Sequence, residues 1–260
     1  MRVLIVGESW TVHSIHQKGF DSFTTTDYAE GVEWLRCALQ QHGHEVVYQP
    51  SHVASRQFPF TAQELSEYDC VMLSDIGANT LLLHPETFTK SKSLPNRLEV
   101  IREYVLLGGG LVMIGGYMTF QGVDGKAQYH DSPVETVLPV TMLAGDDRVE
   151  APQGFVPKVE IEHEIVQGID GEWPMLLGLN AVEVDAGAEL IASAGGHPLL
   201  VAGTFGQGRG VAFTSDCAPH WAPPEFVEWK HYARLWSQIV EWSAKGAADR
   251  KKTPAEVAAS

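Results

Sequence analysis

Cysteine is scarce in this sequence, and no long apolar run occurs in it. Cys37, Cys70 and Cys217 are the three cysteines in 260 residues. They are too few and too scattered for a disulfide framework, which favours a reducing compartment. No stretch approaches the roughly 18 apolar residues of a membrane span, and the amino terminus lacks the pattern of a signal peptide. We therefore expect a cytoplasmic protein with no membrane partner.

Positive charge is also in short supply. Lysine and arginine number 18 against 33 acidic residues, so the formal net charge is −15. A phosphate-binding surface needs an excess of basic residues, and we expect no nucleic acid partner. The sequence has no Gly-Lys-Ser/Thr loop, and its glycine-rich segments do not follow a strand and open a helix as a dinucleotide loop does. We expect no nucleotide and no other cofactor.

The composition and the hydrophobic pattern predict an α/β fold. Hydrophobic residues make up 44% of the chain and charged residues 20%, as in packed domains. Strands that alternate with amphipathic helices indicate right-handed crossovers and a mainly parallel sheet covered on both faces. The first four predicted strands lie at residues 3–6, 45–48, 69–73 and 111–114.

A polar segment follows the first predicted strand. Residues 8–26 contain few apolar side chains, and we expect a loop there. Asp27 and Glu30 have the spacing of a helix N-cap and its reciprocal partner. Apolar side chains from Tyr28 to Leu39 then recur at helical spacing. The first helix is therefore predicted to begin at Asp27.

The second half of the chain predicts antiparallel strands and a final helix. A turn at 205–209 between two β-type runs is typical of a hairpin, so antiparallel strands are expected at one edge of the sheet. A strong apolar stripe from Phe226 to Val240 predicts one last helix. The predicted antiparallel strands lie at residues 188–192, 198–204 and 210–214.

The predicted organisation is one domain over residues 1–244. Residues 118–160 contain several prolines and turn residues but no long helix, and we expect an inserted segment that acts as a lid or as a subunit contact. Residues 245–260 are polar and alanine-rich, which predicts a loose tail.

Polar and aromatic side chains cluster just after the predicted strands. Ligands of an open parallel sheet bind outside the carboxyl ends of its strands, so we expect these side chains to converge on one rim. Trp10, Tyr117, Phe120 and Trp221 would form aromatic walls that suit sugars or flat ligands. The candidate ligand-binding residues are Glu8, Ser9, Trp10, Asp75, Gly77, Asn79, Gly115, Gly116, Asp216 and Trp221.

Three phrases of the sequence resemble the class I glutamine amidotransferase-like superfamily. The resemblance covers roughly residues 1–243 and is greatest to the uncharacterised amidotransferase-like branch near the trehalose-utilisation-type proteins. It implies a flavodoxin-like three-layer sandwich. The phrases are Gly108-Gly-Gly-Leu-Val-Met-Ile-Gly-Gly-Tyr117, His163-Glu-Ile-Val-Gln-Gly-Ile169 and Gly208-Arg-Gly-Val-Ala-Phe-Thr-Ser-Asp216.

The resemblance also implies where the catalytic groups would lie. Members carry a nucleophilic cysteine in a tight strand-to-helix turn, a histidine that activates it and a carboxylate that orients the histidine. In the corresponding turn at 115–119, Gly116 or Tyr117 takes the place of the cysteine. The histidine maps onto His220 and the carboxylate onto Glu225. Because tyrosine has a pKa of about 10, it is a poor substitute for a thiolate, and we expect the family's thiol chemistry to be missing.

The glycines of this turn and the remaining cysteines allow further interpretations. The amides of Gly115 and Gly116 could form an oxyanion-type pocket. Cys217 lies three residues before His220, and either forms a displaced thiol–imidazole pair or is a small buried core residue. Cys37 and Cys70 are expected in the core.

A histidine pair raises the question of a metal. His13 and His16 would share a metal if their segment formed a helical turn, with Asp75, Asp216 or His220 completing the site. The simpler interpretation is a solvated loop, and we expect no metal.

The favoured hypothesis is a small-molecule site at the strand-end rim of a homo-oligomeric protein, since many compact α/β proteins are homo-oligomers. One alternative is an amidotransferase or hydrolase that uses Cys217 and His220. Another is a non-catalytic oligomeric interaction protein. The residues expected to contact the small polar molecule, whether in a non-thiol enzyme or in a binding protein, are Glu8, Asp75, Tyr117, Asp216 and His220.

Overall fold

The computed structural model describes residues 1–247, which form fourteen strands and eight α-helices. The strands are β1 (Arg2–Gly7), β2 (Ser9–Lys18), β3 (Asp21–Glu30), β4 (Glu45–Gln49), β5 (Cys70–Ser74), β6 (Gly110–Ile114), β7 (Val140–Met142), β8 (Arg148–Phe155), β9 (Pro157–Val159), β10 (Leu176–Asn180), β11 (Val182–Val184), β12 (Glu189–Ala194), β13 (His197–Phe205) and β14 (Gly208–Phe213). The helices are α1 (Glu33–Gln41), α2 (Ser51–Gln57), α3 (Ala62–Leu65), α4 (Ala78–Leu82), α5 (Pro85–Lys90), α6 (Arg97–Leu106), α7 (Pro224–Val227) and α8 (Tyr232–Ser243).

The central sheet has eight strands in the order β4-β1-β5-β6-β14-β13-β12-β9. The first five are parallel to one another, and the last three join them in antiparallel pairs. The parallel part has the strand order of a flavodoxin-like sheet. The predicted fold class, with antiparallel strands at one edge, is confirmed.

Both faces of the sheet are buried. Val3 and Ile5 of β1 belong to one core, which α1 and α8 cover. Leu4 and Val6 belong to the other core, which α2, α4 and α6 cover. Since successive side chains of a strand point to opposite faces, a nearly continuous apolar strand needs helices on both sides. The result is the predicted three-layer sandwich. No helix among the described residues is long and apolar enough to cross a membrane.

Residues 9–30 form a long β-hairpin, which we call the arm. Strands β2 and β3 pair from Ser9 opposite Glu30 to Lys18 opposite Asp21. The predicted loop at 8–26 and the helix start at Asp27 are therefore wrong, since Asp27 lies in β3 and α1 begins at Glu33. The reason is that the segment is rich in threonine, which favours strands, but lacks the apolar alternation that marks a half-buried strand.

The segment at 118–160 packs into the domain. Phe120, Tyr129 and Leu138 are fully buried in the core beneath α6. The strands β7 and β8 of this segment pair with β11 and β10, far along the chain. These short strands were not predicted, because their partners are remote in sequence and their apolar pattern is irregular.

The carboxyl-terminal region differs from the prediction in one respect. Two helices, α7 and α8, replace the single predicted helix, and the break lets Trp229 pack on Trp173 with ring centroids 5.3 Å apart. Of the predicted tail at 245–260, the described part ends with the buried Ala247. The rest lies outside the described residues.

Candidate ligand-binding site

The carboxyl ends of β1 and β5 lie side by side where the strand order reverses. The chain leaves β1 for β4 on one side and returns to β5 on the other. Such a switch point opens a crevice in which α/β proteins bind their ligands. Glu8 directly follows β1 and Asp75 directly follows β5. Two carboxyl groups therefore stand at the opening of the crevice.

Glu8 and Asp75 both have left-handed backbone conformations. Their φ angles are 46° and 44°, and such a conformation costs a residue other than glycine on the order of 1–3 kcal/mol. Hydrogen bonds hold the turn at Glu8: its amide donates to the Ser74 carbonyl at 2.7 Å, and the Tyr48 hydroxyl donates to the Glu8 carbonyl at 3.2 Å. The fold thus maintains a strained backbone at this edge of the sheet.

The Glu8 carboxyl group is almost fully buried. Its side chain accepts a hydrogen bond from the Ser74 hydroxyl at 2.5 Å, and the whole residue is 2% exposed. Burial, with the nearby charges of Asp216 and Asp75, raises the pKa of Glu8 well above its usual range. The protonated, neutral acid is therefore favoured here.

The Asp75 carboxyl group accepts a hydrogen bond from the Met118 amide at 2.8 Å. Burial, with the charge of Asp216 nearby, raises the pKa of Asp75 to about 6. The position of Asp75 thus links the end of β5 to the turn that follows β6. Its protonation state changes close to neutral pH.

Asp216 supplies a third carboxyl group, just beyond β14. The amide of Ala218 donates to Asp216 at 3.0 Å. The Nδ1 atom of His220 lies 3.7 Å from a carboxylate oxygen of Asp216. The carboxylate beside His220 is therefore Asp216, whereas the predicted partner Glu225 is exposed on α7. His220 is four positions after Asp216 in the sequence, and the turn after β14 brings them together.

Three rings pack together beside Asp216. The ring centroid of Tyr117 lies 4.2 Å from that of His220 and 5.7 Å from that of Trp221. The Tyr117 hydroxyl and the Trp221 indole each donate to Glu150, at 2.9 Å and 3.0 Å. Burial and the Glu150 carboxylate raise the pKa of Tyr117. The phenol is therefore a neutral hydrogen-bond donor and not an oxyanion nucleophile.

The turn after β6 is tied down by internal hydrogen bonds. The Gly115 amide donates to the Phe213 carbonyl at 2.8 Å, and the Gly116 amide donates to the Asn180 side chain at 3.0 Å. Asn180 in turn donates to buried Asp147 at 2.8 Å. Because both glycine amides already have acceptors within the fold, the structure does not present them as the expected oxyanion pocket.

These walls enclose a cavity of about 350 Å³ at the strand ends. Two larger surface depressions, of about 800 and 750 Å³, lie beside α3 and α6 and along residues 159–171. The acidic residues of both are solvent-exposed, whereas the strand-end cavity combines buried acids with aromatic rings, as ligand sites do. It is lined by Glu8, Trp10, Asp75, Tyr117, Asp216, Pro219 and His220.

Six of the predicted site residues line this cavity, and the others lie around it. Ser9 accepts a hydrogen bond from the Ser51 amide at the start of α2, and the Asn79 amide donates to Gln128. Gly77 lies against Met118. The predicted residues that do not line the cavity are Ser9, Gly77, Asn79, Gly115, Gly116, Cys217, Trp221 and Glu225.

Cys217 is fully buried behind the cavity. Its sulfur lies 3.6 Å from the Ser74 hydroxyl and 3.9 Å from a Glu8 oxygen. Burial, followed by the charges of Glu8 and Asp216, raises the pKa of the Cys217 thiol well above its usual range. His220 lies against Asp216, Tyr117 and Trp221, and among the described residues no hydrogen bond joins it to Cys217, so a displaced thiol–imidazole pair is not formed. Cys217 is a buried neutral thiol.

His13 and His16 lie in β2 of the arm, not in a helical turn. In a strand, residues three apart point to opposite faces, so these two histidines cannot share a metal. They hydrogen-bond instead with Thr26 at 2.9 Å and Thr25 at 3.2 Å.

Two groups of described residues bring possible metal ligands within 4.8 Å of one another. One is Glu8, Asp216 and Cys217, a mixed oxygen and sulfur set of the kind that suits zinc better than magnesium. The other joins His130 and Asp131 to Glu135, whose carboxylate already accepts backbone amides at 2.5 and 2.6 Å. The expectation that no metal is bound stays a prediction.

Three residues of the site were not predicted from the sequence. Glu150 and Asn180 lie in β8 and β10, and Asp147 lies just before β8. The relevant signal would have been the pairing of β8 with β10, which brings the Glu150 strand beneath Trp221. That pairing is long-range and leaves no local periodicity.

The sequence model of a family described as "Putative glutamine amidotransferase" (GATase1-like) matches residues 2–245. The chain belongs to this family. The resemblance expected from the three sequence phrases is thereby confirmed, and it extends over the whole described fold. Placement near the trehalose-utilisation-type proteins stays a prediction.

Two solved structures share both sequence and fold with this family member. Both are described as cytoplasmic proteins of Salmonella typhimurium, at 44% and 45% identity, each with a TM-score of 0.91 over 94% of this chain and 99% of theirs. A β-galactosidase from Rahnella sp. R3 is 14% identical, with a TM-score of 0.50 over 79% of this chain and 26% of the enzyme, which shows the fold alone. No curated protein matches the sequence.

Proposed function

We propose that this family member binds a small polar molecule rich in hydrogen-bond donors, such as amine or hydroxyl groups, in the strand-end cavity. The observation that carries this is the grouping of three carboxyl groups, those of Glu8, Asp75 and Asp216, around one cavity of small-molecule size. Two of them stand on strained backbone at the switch point. Strain that a fold maintains at a crevice is typical of functional sites.

The charges of the cavity favour donors over acceptors. No lysine or arginine among the described residues lines it, and the raised pKa values of Glu8 and Asp75 reflect burial and repulsion by the carboxylate of Asp216. A ligand that donates hydrogen bonds or carries a positive charge relieves that repulsion, whereas an anion increases it. Trp10 and Tyr117 add aromatic surface that suits the apolar face of a sugar ring.

The family's thiol chemistry is not part of this proposal. Tyr117 or Gly116 stands where the cysteine would lie, and Cys217 is a buried neutral thiol. The cavity does contain a group that can exchange a proton near neutral pH, since the pKa of Asp75 is about 6. Proton transfer to or from the bound molecule is the chemistry that such a carboxylate supports.

We also propose that the protein works in the cytoplasm. The two Salmonella relatives are described as cytoplasmic. The three cysteines are all free, which fits a reducing compartment.

A thermal-shift screen tests the binding proposal. Glutamine, ethanolamine, glucosamine, glucose and zinc chloride would each be added to the wild type and to Asp75→Asn. At a concentration 100-fold above its Kd, a ligand of the native state adds about 2.7 kcal/mol, or roughly 5–10 °C in Tm for a domain of this size. We expect an amine or a sugar to raise the Tm of the wild type and to lose most of that effect in Asp75→Asn.

The control is Asp170→Asn, which removes one exposed carboxylate outside the cavity. It should keep the ligand response of the wild type. A ligand that raises the Tm of Asp75→Asn as much as that of the wild type would bind outside this cavity. A screen in which none of these probes changes the Tm would count against a small-molecule site and favour an interaction protein.

A further inference from the structure

The arm projects from the domain as an isolated two-stranded ribbon. Nearly every residue of β2 and β3 is exposed, and the two strands pair only with each other. A lone two-stranded hairpin is at best marginally stable in water, and its unpaired edges invite pairing with another chain. A ribbon of ten residue pairs therefore needs a covering surface.

Apolar surface is concentrated on the arm. Ile15 is 78% exposed, and Phe20 at the tip is fully exposed. The arm makes up 22 of the 247 described residues, yet it holds six of the seventeen exposed large apolar side chains among them. Contiguous exposed apolar surface of this kind marks an interaction site. The six are Trp10, Val12, Ile15, Phe20, Phe23 and Tyr28.

The charge of the arm points to a second copy of this chain as the partner. Residues 10–26 contain one lysine, Lys18, and one acidic residue, Asp21, whereas the whole chain carries −15. Two copies repel each other over most of their surface. Residues 10–26, the distal part of the arm, lack this excess charge, while Asp27 and Glu30 lie at its base, so the distal part can approach another copy without repulsion.

The area available also favours reciprocal exchange between two copies. Ten residues span about 34 Å, and with side chains the ribbon is about 10 Å wide, so one face offers roughly 340 Å². Covering it buries roughly 700 Å² per arm in total, below the roughly 1,000 Å² of a specific interface. Two exchanged arms bury roughly 1,400 Å², within the range of stable interfaces.

Both ends of the arm meet the strand-end cavity. Trp10, near the start of the arm, lines the cavity. At its end, the Gly31 amide donates to the Glu8 carbonyl at 3.0 Å, and a Cβ on Gly31 would lie 2.4 Å from a Glu8 carboxylate oxygen. Gly31 is therefore the residue that lets the end of the arm pack against Glu8. A partner that holds the arm would hold one wall of the cavity as well.

We infer that the arm is a dimerisation element, which packs reciprocally on a second copy of the chain. The inference does not depend on the identity of the cavity ligand. In solution, the wild-type protein should have a mass at least twice the 28.5 kDa of one chain.

Light scattering coupled to size-exclusion chromatography, over a wide range of protein concentration, tests this inference. The variant Ile15→Glu/Phe20→Glu places like charges on the arm and should reduce the mass to 28.5 kDa. The matched control is Phe88→Glu, because Phe88 on α5 is 77% exposed, nearly the same as Ile15. Phe88→Glu should keep the mass of the wild type.

A second variant separates loss of the arm from loss of the fold. Residues 11–28 are removed, and Trp10 is joined to its cross-strand neighbour Ala29 through an Asn-Gly turn. The shortened protein should be monomeric and should still unfold cooperatively. A monomeric wild type at every concentration, or an oligomer that both arm variants leave intact, would overturn the inference.

Discussion

The two walls of the strand-end cavity are built on different principles. On the acidic wall, burial and neighbouring carboxylates raise the pKa values of Glu8 and Asp75, and among the described residues no lysine or arginine lines the cavity to neutralise them. On the aromatic wall, Tyr117 and the buried Trp221 that packs behind it both donate to the same carboxylate, that of Glu150. The donors of Tyr117 and Trp221 are satisfied by one protein carboxylate, whereas the carboxyl groups of Glu8, Asp75 and Asp216 accept few hydrogen bonds from the protein and still repel one another.

This difference assigns separate tasks to the two walls. A wall whose donors are already paired contributes shape and rigidity, because changing its contacts costs hydrogen bonds. Carboxylates that repel one another are electrostatically unfavourable in the ligand-free protein. A bound hydrogen-bond donor therefore stabilises this wall more than the other. Ligand selectivity is therefore expected from Glu8, Asp75 and Asp216, and stability from the rings.

The largest effect is expected from a substitution that disrupts the packing of the aromatic wall. A Cβ at Gly178 would lie 2.3 Å from the indole nitrogen of Trp221, which is only 1% exposed. Since a rigid buried ring cannot give way, we expect Gly178→Ala to destabilise the fold by about 3 kcal/mol, measured by urea denaturation. Gly145→Ala is the control, because nothing lies within 4 Å of a Cβ there. Equal stability of the two variants would show that the wall is not rigid.

The next largest effect is expected from the acidic wall, at Asp75. The pKa of Asp75 is about 6 in the folded protein, against about 3.9 for an unfolded aspartate. Between these values the folded state keeps a proton that the unfolded state has lost, so this group's contribution to stability falls as the pH rises from 4 to 6. Because the cavity is open to solvent, we expect Asp75→Asn to be about 2 kcal/mol more stable than the wild type at pH 7.

The same pair of proteins should have similar stability at about pH 3, where Asp75 is mostly protonated in both states. Urea denaturation at several pH values gives the difference directly, and titrating groups remote from the cavity cancel between variant and wild type. Asp170→Asn should follow the wild type throughout. A difference between Asp75→Asn and the wild type that does not change with pH would contradict the assigned pKa.

A smaller effect comes from the hydroxyl of the aromatic wall. Tyr117→Phe removes the hydrogen bond to Glu150 but keeps the ring, and Trp221 still donates to Glu150. We expect a loss of about 0.5–1 kcal/mol in urea denaturation. Tyr28→Phe is the matched control, since the Tyr28 hydroxyl also donates to a glutamate, Glu30, at an exposed site on the arm. An equal loss of stability in Tyr28→Phe would mean that the packed rings around Tyr117 do not strengthen its hydrogen bond to Glu150.

The smallest expected effect concerns Cys217, at the back of the acidic wall. Because the thiol is buried and its pKa is raised, we expect iodoacetamide to leave it unmodified in the native protein and to alkylate it in urea. The half-buried Cys37 serves as the internal comparison in the same mass spectrum. Rapid native alkylation of Cys217 would revive the displaced-thiol hypothesis.

Prediction from the sequence succeeded where the physics is local. The apolar runs at the first strands, closed by turn residues, located β1, β5 and β6 within a residue or two. The rule that ligands bind at the carboxyl ends of parallel strands then placed Glu8 and Asp75 on one rim, where they are found. It failed for the arm, because Thr24 to Thr26 face water on both sides and a hairpin without a core shows no apolar alternation.

The sequence by itself determined where the first strands lie and which acidic residues follow them, because periodicity and turn chemistry act over a few neighbouring residues, and its family resemblance implied the flavodoxin-like fold. Only the tertiary structure decided the partners of those residues. Asp216 stands beside His220 in place of Glu225, and Glu150 reaches Trp221 across 71 residues. Such contacts depend on which distant strands pair, a cooperative outcome of packing the whole domain that no local pattern encodes.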